Sequence, residues 1–409
     1  MLLDALTLQA GYNAALVAVG AGLLGAASGA AGTFLFLRKR ALVADAVAHA
    51  TLPGIALAFI LAVALGGDGR ALPVLLAGSA VSAALGLVTV EWIARHTRLS
   101  EDAAIGAVLS VFFGVGVVLL TVIQSMADGR QAGLEDFLLG ATAGMVFQDA
   151  LLIAAGGTLT ALAILILRRP MTLVAFDADY AAASGVNVAR IDLAMMALVM
   201  AVTVVGLKIV GLILIVALLI IPAVTARFWT ERTEGVLWIA ALLGGLSGYL
   251  GAALSASAPA LPTGPIVVLT ASALFALSLL IAPRRGVLAA LLRHRRFQTD
   301  VHRRQGLLAL ARGEAIHDPL TLRVLTRAKL IRPDGVATAD GQAQAAKAVH
   351  DEARWALVRA NPDSFPDSPG GALSGVSGRY DGLTSIETLL TADEIAEIDR
   401  RLAPPQGVR

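Results

Sequence analysis

Apolar runs long enough to cross about 30 Å of hydrocarbon recur through the first 283 residues, and they constrain the fold more than any other feature. They fall near residues 13–37, 41–66, 72–94, 103–124, 149–168, 190–206, 209–228, 235–256 and 264–283. Lipid offers no water to backbone N–H and C=O groups, so each run must satisfy them internally as a helix. The expected fold class is therefore all-α, a polytopic membrane bundle of about eight or nine transmembrane helices. Only Gly206-Leu207-Lys208 separates the sixth and seventh runs. That region reads as two spans, or as one broken helix or a re-entrant hairpin.

Charge divides the chain. Residues 1–283 hold 13 Lys/Arg and 15 Asp/Glu, residues 284–360 hold 15 and 7, and residues 361–409 hold 4 and 8. A boundary near Pro283 follows, with a membrane domain at 1–285, a basic domain at 286–360, and a linker with a terminal helix at 361–409. The chain has no cysteine, which excludes thiolate metal sites and disulfides. Asp4 stands where a signal peptide would be basic, so the first span is expected to remain in the mature chain.

Basic loop residues set the orientation. Arg38-Lys39-Arg40, Arg95 with Arg98, Arg168-Arg169, Arg227 with Arg232, and Arg284-Arg285 follow the odd-numbered runs, whereas Asp68, Asp128, Glu135 and Asp136 lie in intervening loops. The positive-inside rule puts the N-terminus outside and the basic tail in the cytoplasm. It also favours nine crossings over eight.

Of the six histidines, only His49 lies inside a predicted span, and Asp45 stands four residues before it. That spacing places both on one helix face, where an ionisable pair at membrane depth is costly without an ion, a partner or water. Counting from Arg40 at about 1.5 Å per residue puts Asp45 about 7 Å and His49 about 13 Å along the helix. One carboxylate and one imidazole suit Mn²⁺, Fe²⁺ or Zn²⁺ better than Cu⁺, and two copies across a two-fold axis would supply four ligands. The bland reading is that the two side chains pair with each other or cap a neighbouring helix end. Pro53-Gly54 interrupts the same span as a packing kink or a gating break, with backbone carbonyls freed as further ligands. Glu91 and Asp192, near span ends, are expected to snorkel.

Between the fifth and sixth runs, Phe176 to Val188 reads as a short, weakly amphipathic helix ending at Gly185. Such a helix lies along lipid, docks into a groove on a soluble partner, or is an ordinary linker.

Together these segments resemble the inner-membrane permeases of metal-ion ABC importers, the ABC-3 family. The resemblance rests on Asp45 through Gly54, Glu101-Asp102-Ala103-Ala104-Ile105-Gly106, the loop from Phe176 to Val188, the run from Val210 through Pro222 to Ala226, and Leu261-Pro262-Thr263-Gly264. It covers about residues 11–285. It implies a permease homodimer in a bacterial inner membrane, with Asp45 and His49 as metal ligands on the pathway and Pro53, Gly54 and Pro222 at gating kinks. A cytoplasmic ABC ATPase would dock on Asp177, Asp179, Ala181, Ser184 and Gly185, and an extracytoplasmic binding protein would deliver the metal. The metal is cargo; no tightly bound cofactor is expected. No Walker A pattern occurs in the chain, so ATP hydrolysis would fall to another polypeptide and the chain itself is not an enzyme.

In the tail, residues 300–332 read as two helices about Gly313 to Pro319, with a turn or wing at Ala337 to Gly341 and a helix through Trp355. This is similar to the winged helix of iron-dependent repressors. Glu352-Ala353-Arg354-Trp355-Ala356 departs from the His-Arg-Leu-Trp-Glu-like run of those repressors, which speaks against a metal sensor. Basic charge at 284–360 suits anionic membrane lipid as well as DNA, and a structural or regulatory role is favoured over DNA binding. Residues 361–382 read as flexible, and Thr391 to Leu402 as a capped helix with an Ile395, Ile398 and Leu402 stripe.

Three rival functions remain at this point. A siderophore or cobalamin permease would not need Asp45 and His49. An ion-coupled secondary carrier would use the pair as a proton relay and need no docking helix. A membrane-anchored regulator would make the tail the active part.

Overall fold

The computed structural model describes residues 2–67, 69, 71–126, 147–258, 261–361, 383 and 385–402, with backbone alone at 2, 72, 149, 208–210 and 212–214. Asp68, Asp128, Glu135 and Asp136, and all but the first residue of the flexible stretch expected at 361–382, lie outside the described residues. The chain divides into two compact units, residues 1–289 and 290–409.

The first unit comprises α1 (Leu2–Leu6), α2 (Tyr12–Leu37), α3 (Ala41–Ala64), α4 (Leu72–His96), α5 (Glu101–Ser125), α6 (Phe147–Phe176), α7 (Ala178–Ala183), α8 (Val188–Val210), α9 (Leu212–Trp229), α10 (Thr233–Ala256) and α11 (Thr263–Ile281). Among the described residues eight helices are long and apolar enough to cross a membrane: α2 to α6, α8, α10 and α11. The apolar α9 is shorter, 18 residues or about 27 Å.

Small residues bring these helices into contact. A Cβ on Gly25 of α2 would lie 2.1 Å from the carbonyl oxygen of Gly244 on α10, and the converse distance is also 2.1 Å. Only hydrogen fits at either position, so the two backbones touch. α2 packs mainly on α10, α9 and α6, while α3 packs mainly on α4 and α5. Two sub-bundles result, joined by α8 and by the tripeptide Arg38 to Arg40, in which Lys39 has a φ of 58°.

The sixth and seventh runs separate at Gly211, not at Gly206 to Lys208. Gly211 has a φ of 81°, a left-handed value that a side chain resists, and it ends α8 and begins α9 at once. The two helices form a hairpin. At one end Asp192 of α8 bonds Arg38 and Ala226 of α9 packs near Phe36; further along, a Cβ on Gly206 would fall 2.4 Å from Ile215 and 3.3 Å from Leu24. The fifth run also extends beyond its expected end, because α6 continues through Pro170 to Phe176. A single proline removes one helical hydrogen bond without forcing the chain to turn.

The second unit contains the later part of α12 (Val287–Arg312), then α13 (Pro319–Arg327), α14 (Ala339–Ala360), a 3₁₀ turn at Ile386–Thr388 and α15 (Ala392–Leu402). An antiparallel bridge joins Ile331 to Ala337 around Gly335, whose φ is 82°. The turn thus lies before Ala337, and Thr338 instead caps α14 by accepting from the Gly341 N–H at 3.1 Å. Leu307, Leu325, Leu330 and Ile331 form one small core. Trp355, Val358, Ile386, Leu390 and Ile398 form another.

The terminal helix is capped reciprocally, as its sequence anticipates. Thr391 N–H donates to Glu394 Oε2 at 2.8 Å, and Glu394 N–H donates to Thr391 Oγ1 at 3.4 Å. Arg354 of α14 holds this helix with two bonds to the Asp399 carboxylate, at 2.7 and 2.6 Å. The Arg354 and Trp355 of the departed repressor-like run therefore serve packing.

Candidate functional site

Asp45 and His49 face each other on α3, with Nε2 to Oδ1 at 3.4 Å. The imidazole is the more covered group, at 19% exposure against 40% for the Asp45 side chain. Their helix places them among apolar neighbours: Ala48 and Leu52, flanking His49, pack with Val216 of α9, and Phe113 of α5 meets the imidazole edge-on with centroids 5.0 Å apart. His49 Nδ1 is buried without a hydrogen-bond partner among the described residues. Phe113 carries no mark of this role in the sequence, since nothing in an apolar run shows which aromatic ring faces a histidine on another helix.

No cluster of three or more His, Asp or Glu suited to a metal occurs among the described residues. One chain therefore brings two candidate ligands together. The pair also lies outside two cavities of about 330 and 300 Å³, one beside Phe34, Arg168 and Phe176, the other between Leu23, Ala161 and Trp238.

Pro53 sits inside α3, which continues to Ala64. Having no N–H, it cannot bond the carbonyl four residues back, and that carbonyl belongs to His49. Gly54 is a contact residue: a Cβ there would lie 2.1 Å from the Gly78 carbonyl oxygen on α4. Pro222 likewise lies inside α9 and leaves the Leu218 carbonyl without its helical donor.

The segment after α6 forms the short helix α7 with both ends capped by its own residues. Asp177 Oδ1 accepts from Tyr180 N–H at 2.8 Å, and Asp179 stands in the first turn. At the other end, Val186 N–H donates to Ala181 O and Gly185 N–H to Ala182 O, a paired closure that requires the positive φ of 83° at Gly185. Ser184 is the C-cap, and Asn187 caps α8 by accepting from Arg190 N–H at 3.0 Å. Ala181 is buried against the bundle, which leaves Phe176 and Tyr180 standing out, each 60% exposed. In the sequence these two rings read only as part of a weak amphipathic pattern.

Charged side chains gather at the same end of the bundle. Arg38 donates to Val174 O at 3.0 Å and to Asp192 Oδ2 at 2.6 Å, and Arg40 Nε lies 2.8 Å from Glu101 Oε1. Asp192 is only 8% exposed, so it is a buried ion-pair partner and does not snorkel. Glu91 pairs with Arg95 one turn away.

The chain matches the ABC 3 transport family over residues 12–282. It is 41% identical over 298 residues to the manganese transport system membrane protein MntC of Bacillus subtilis (strain 168), covering 73% of this chain and 67% of that protein. It is 39% identical over 285 residues to the zinc transport system membrane protein TroC of Treponema pallidum (strain Nichols), covering 70% and 94%. A solved structure, PsaBC from Streptococcus pneumoniae in complex with Fab, aligns with a TM-score of 0.60 at 29% identity, covering 70% of this chain and 98% of that one. With its apolar helices, its capped loop helix and its Asp/His pair in the matched region, the chain belongs to the ABC 3 transport family.

Proposed function

We propose that this chain is the transmembrane permease subunit of an ATP-binding-cassette importer for divalent transition-metal ions, manganese, iron or zinc. The observation that carries the reading is the Asp45/His49 pair, a half-complete ligand set on an apolar helix with one imidazole nitrogen left without a partner among the described residues. Two permease chains meeting on a two-fold axis would bring two aspartates and two histidines to one cation. Manganese and zinc in the names of the relatives suit that donor set.

In this reading the protein resides in the bacterial inner membrane and receives metal from an extracytoplasmic binding protein. A separate cytoplasmic ATPase docks on α7 between Asp177 and Gly185, with Phe176 and Tyr180 as its apolar contacts. The second unit is a cytoplasmic winged-helix-like domain with a structural or regulatory role. Arg303, Arg304, Lys347 and Arg354 bond Gln344, Glu352, Glu387 and Asp399 within that unit, which leaves them less available to phosphates.

The test is metal uptake into vesicles holding the permease, the ATPase and the binding protein. Asp45→Ala and His49→Ala should each reduce ATP-dependent uptake by about tenfold to a hundredfold or more, since even outer-shell partners of a bound metal cost that much when removed. Unchanged uptake by both variants would refute the reading.

A further inference from the structure

We infer that Arg38, Arg40, Glu101 and Asp192 form a charged link that transmits movement of the docking segment to the Asp45/His49 pair. This rests on the docking and metal roles proposed above. None of the four touches the metal pair, so each acts as a positioning residue.

The geometry runs in two directions from one buried carboxylate. Arg38 holds Val174 O at 3.0 Å, three residues before the Asp177 cap, and Asp192 at 2.6 Å, five residues after the Asn187 cap. One guanidinium therefore grips the chain on both sides of α7. The same Asp192 oxygen lies 3.8 Å from Arg40, the residue that opens α3, and Arg40 in turn bonds Glu101, the first residue of α5. α3 carries Asp45 and His49, and α5 carries Phe113 against the His49 ring. Both helices that shape the surroundings of His49 are thus tied at their first turns to the carboxylate that anchors the docking segment.

The link also has a second arrangement open to it. Arg38 Nε and Asp192 Oδ1 are both buried without a partner among the described residues, although they belong to two side chains already in contact. Leaving a buried donor and a buried acceptor unmet is costly, and a small shift that brings Nε to Oδ1 would convert one bond into a two-bond fork. A buried ion pair is weak evidence of stabilisation, and a half-used one is weaker still. Two discrete pairings of the same groups are what a coupling element requires.

The absence of native cysteine allows a clean test with one engineered thiol. In vesicles with the ATPase and binding protein, Asp192→Asn should lower metal moved per ATP hydrolysed about tenfold while ATP hydrolysis stays within about twofold. Asp192→Glu should retain coupling. Glu101→Arg should uncouple in the same way, and Arg40→Glu combined with Glu101→Arg should restore transport to within about threefold.

In parallel, thiol labelling of Asp45→Cys should change rate on addition of ATP, and Asp192→Asn should abolish that change. The link is overturned if transport and hydrolysis fall together, if the double variant is no better than its parents, or if the ATP effect on labelling survives Asp192→Asn. Failure of the importer reading is distinct: the unmodified complex would move no metal, while labelling would still report the link.

Discussion

The ring of Phe113 stands nearly perpendicular to the imidazole of His49, at 86° with centroids 5.0 Å apart. An edge-on contact of this kind is worth about 0.5–1.5 kcal/mol, enough to fix a ring orientation. Phe113→Ala should therefore weaken the apparent metal affinity of uptake about two- to tenfold while leaving the maximal rate nearly unchanged. Phe113→Leu, which restores bulk without the ring edge, should recover little of the loss. Initial uptake rates against free metal concentration decide the matter.

Gly25→Ala should be severe. The added methyl would meet the Gly244 carbonyl at 2.1 Å, and two packed backbones cannot both retreat. A loss of about 1–3 kcal/mol is expected from such overpacking. Gly106→Ala, which meets nothing within 4 Å, is the matched control and should be neutral or slightly stabilising. Thermal unfolding of the detergent-solubilised protein separates the two.

Asp177→Ala removes the cap on α7 and should cost about 1 kcal/mol of local helix stability. Tyr180→Ala leaves the cap in place, since Asp177 bonds the backbone of residue 180, but deletes an exposed ring. Both variants should weaken assembly with the ATPase, Tyr180→Ala by more than about fivefold if the ring is a contact anchor. Only Asp177→Ala should raise hydrogen exchange across residues 178–183. Equal exchange in the two would count against the capping account.

The terminal helix should respond to acid. Hydrogen bonding from Arg354 holds the Asp399 carboxyl below the usual carboxylate range, and Lys347, then Arg354, does the same for Glu387. For carboxyls lowered in the folded state, the stabilisation is present above their unfolded values and is lost as pH falls through their folded ones. Exchange across residues 386–402 should thus be pH-insensitive near neutrality, beyond the intrinsic rate, and rise below about pH 4. Asp399→Asn should remove much of that acid response.

Local signals made the spans, α7 and the terminal helix legible in advance. Long apolar runs, an Asp at an N-cap, a Gly at a positive-φ closure, and a Thr/Glu pair three residues apart each act within a few positions. What the sequence hid was set at a distance. Asp192 looks like any acidic residue near a span end until Arg38, 154 positions away, is seen against it. The break at Gly211 lies just past Lys208, the more conspicuous breaker of the apolar run, because backbone torsion carries no hydropathy. The turn precedes the segment whose composition suggests it for a related reason: Thr338 to Gly341 has turn composition but serves as a helix cap. Asp45 and His49 were found together because both stand on one helix, while their neighbour Phe113 came from another.

The touching glycines of α2 and α10 also bear on how the chain is built. Gly25 and Gly244 stand 219 positions apart, so their contact is beyond reach until most of the first unit has been synthesised. Neighbours such as α3, α4 and α5 can meet as soon as they enter the bilayer, whereas α2 must wait with its glycine face turned to lipid or to an insertion factor. Chains cut short before α10 would leave that face bare, an unfinished surface that membrane quality control can recognise.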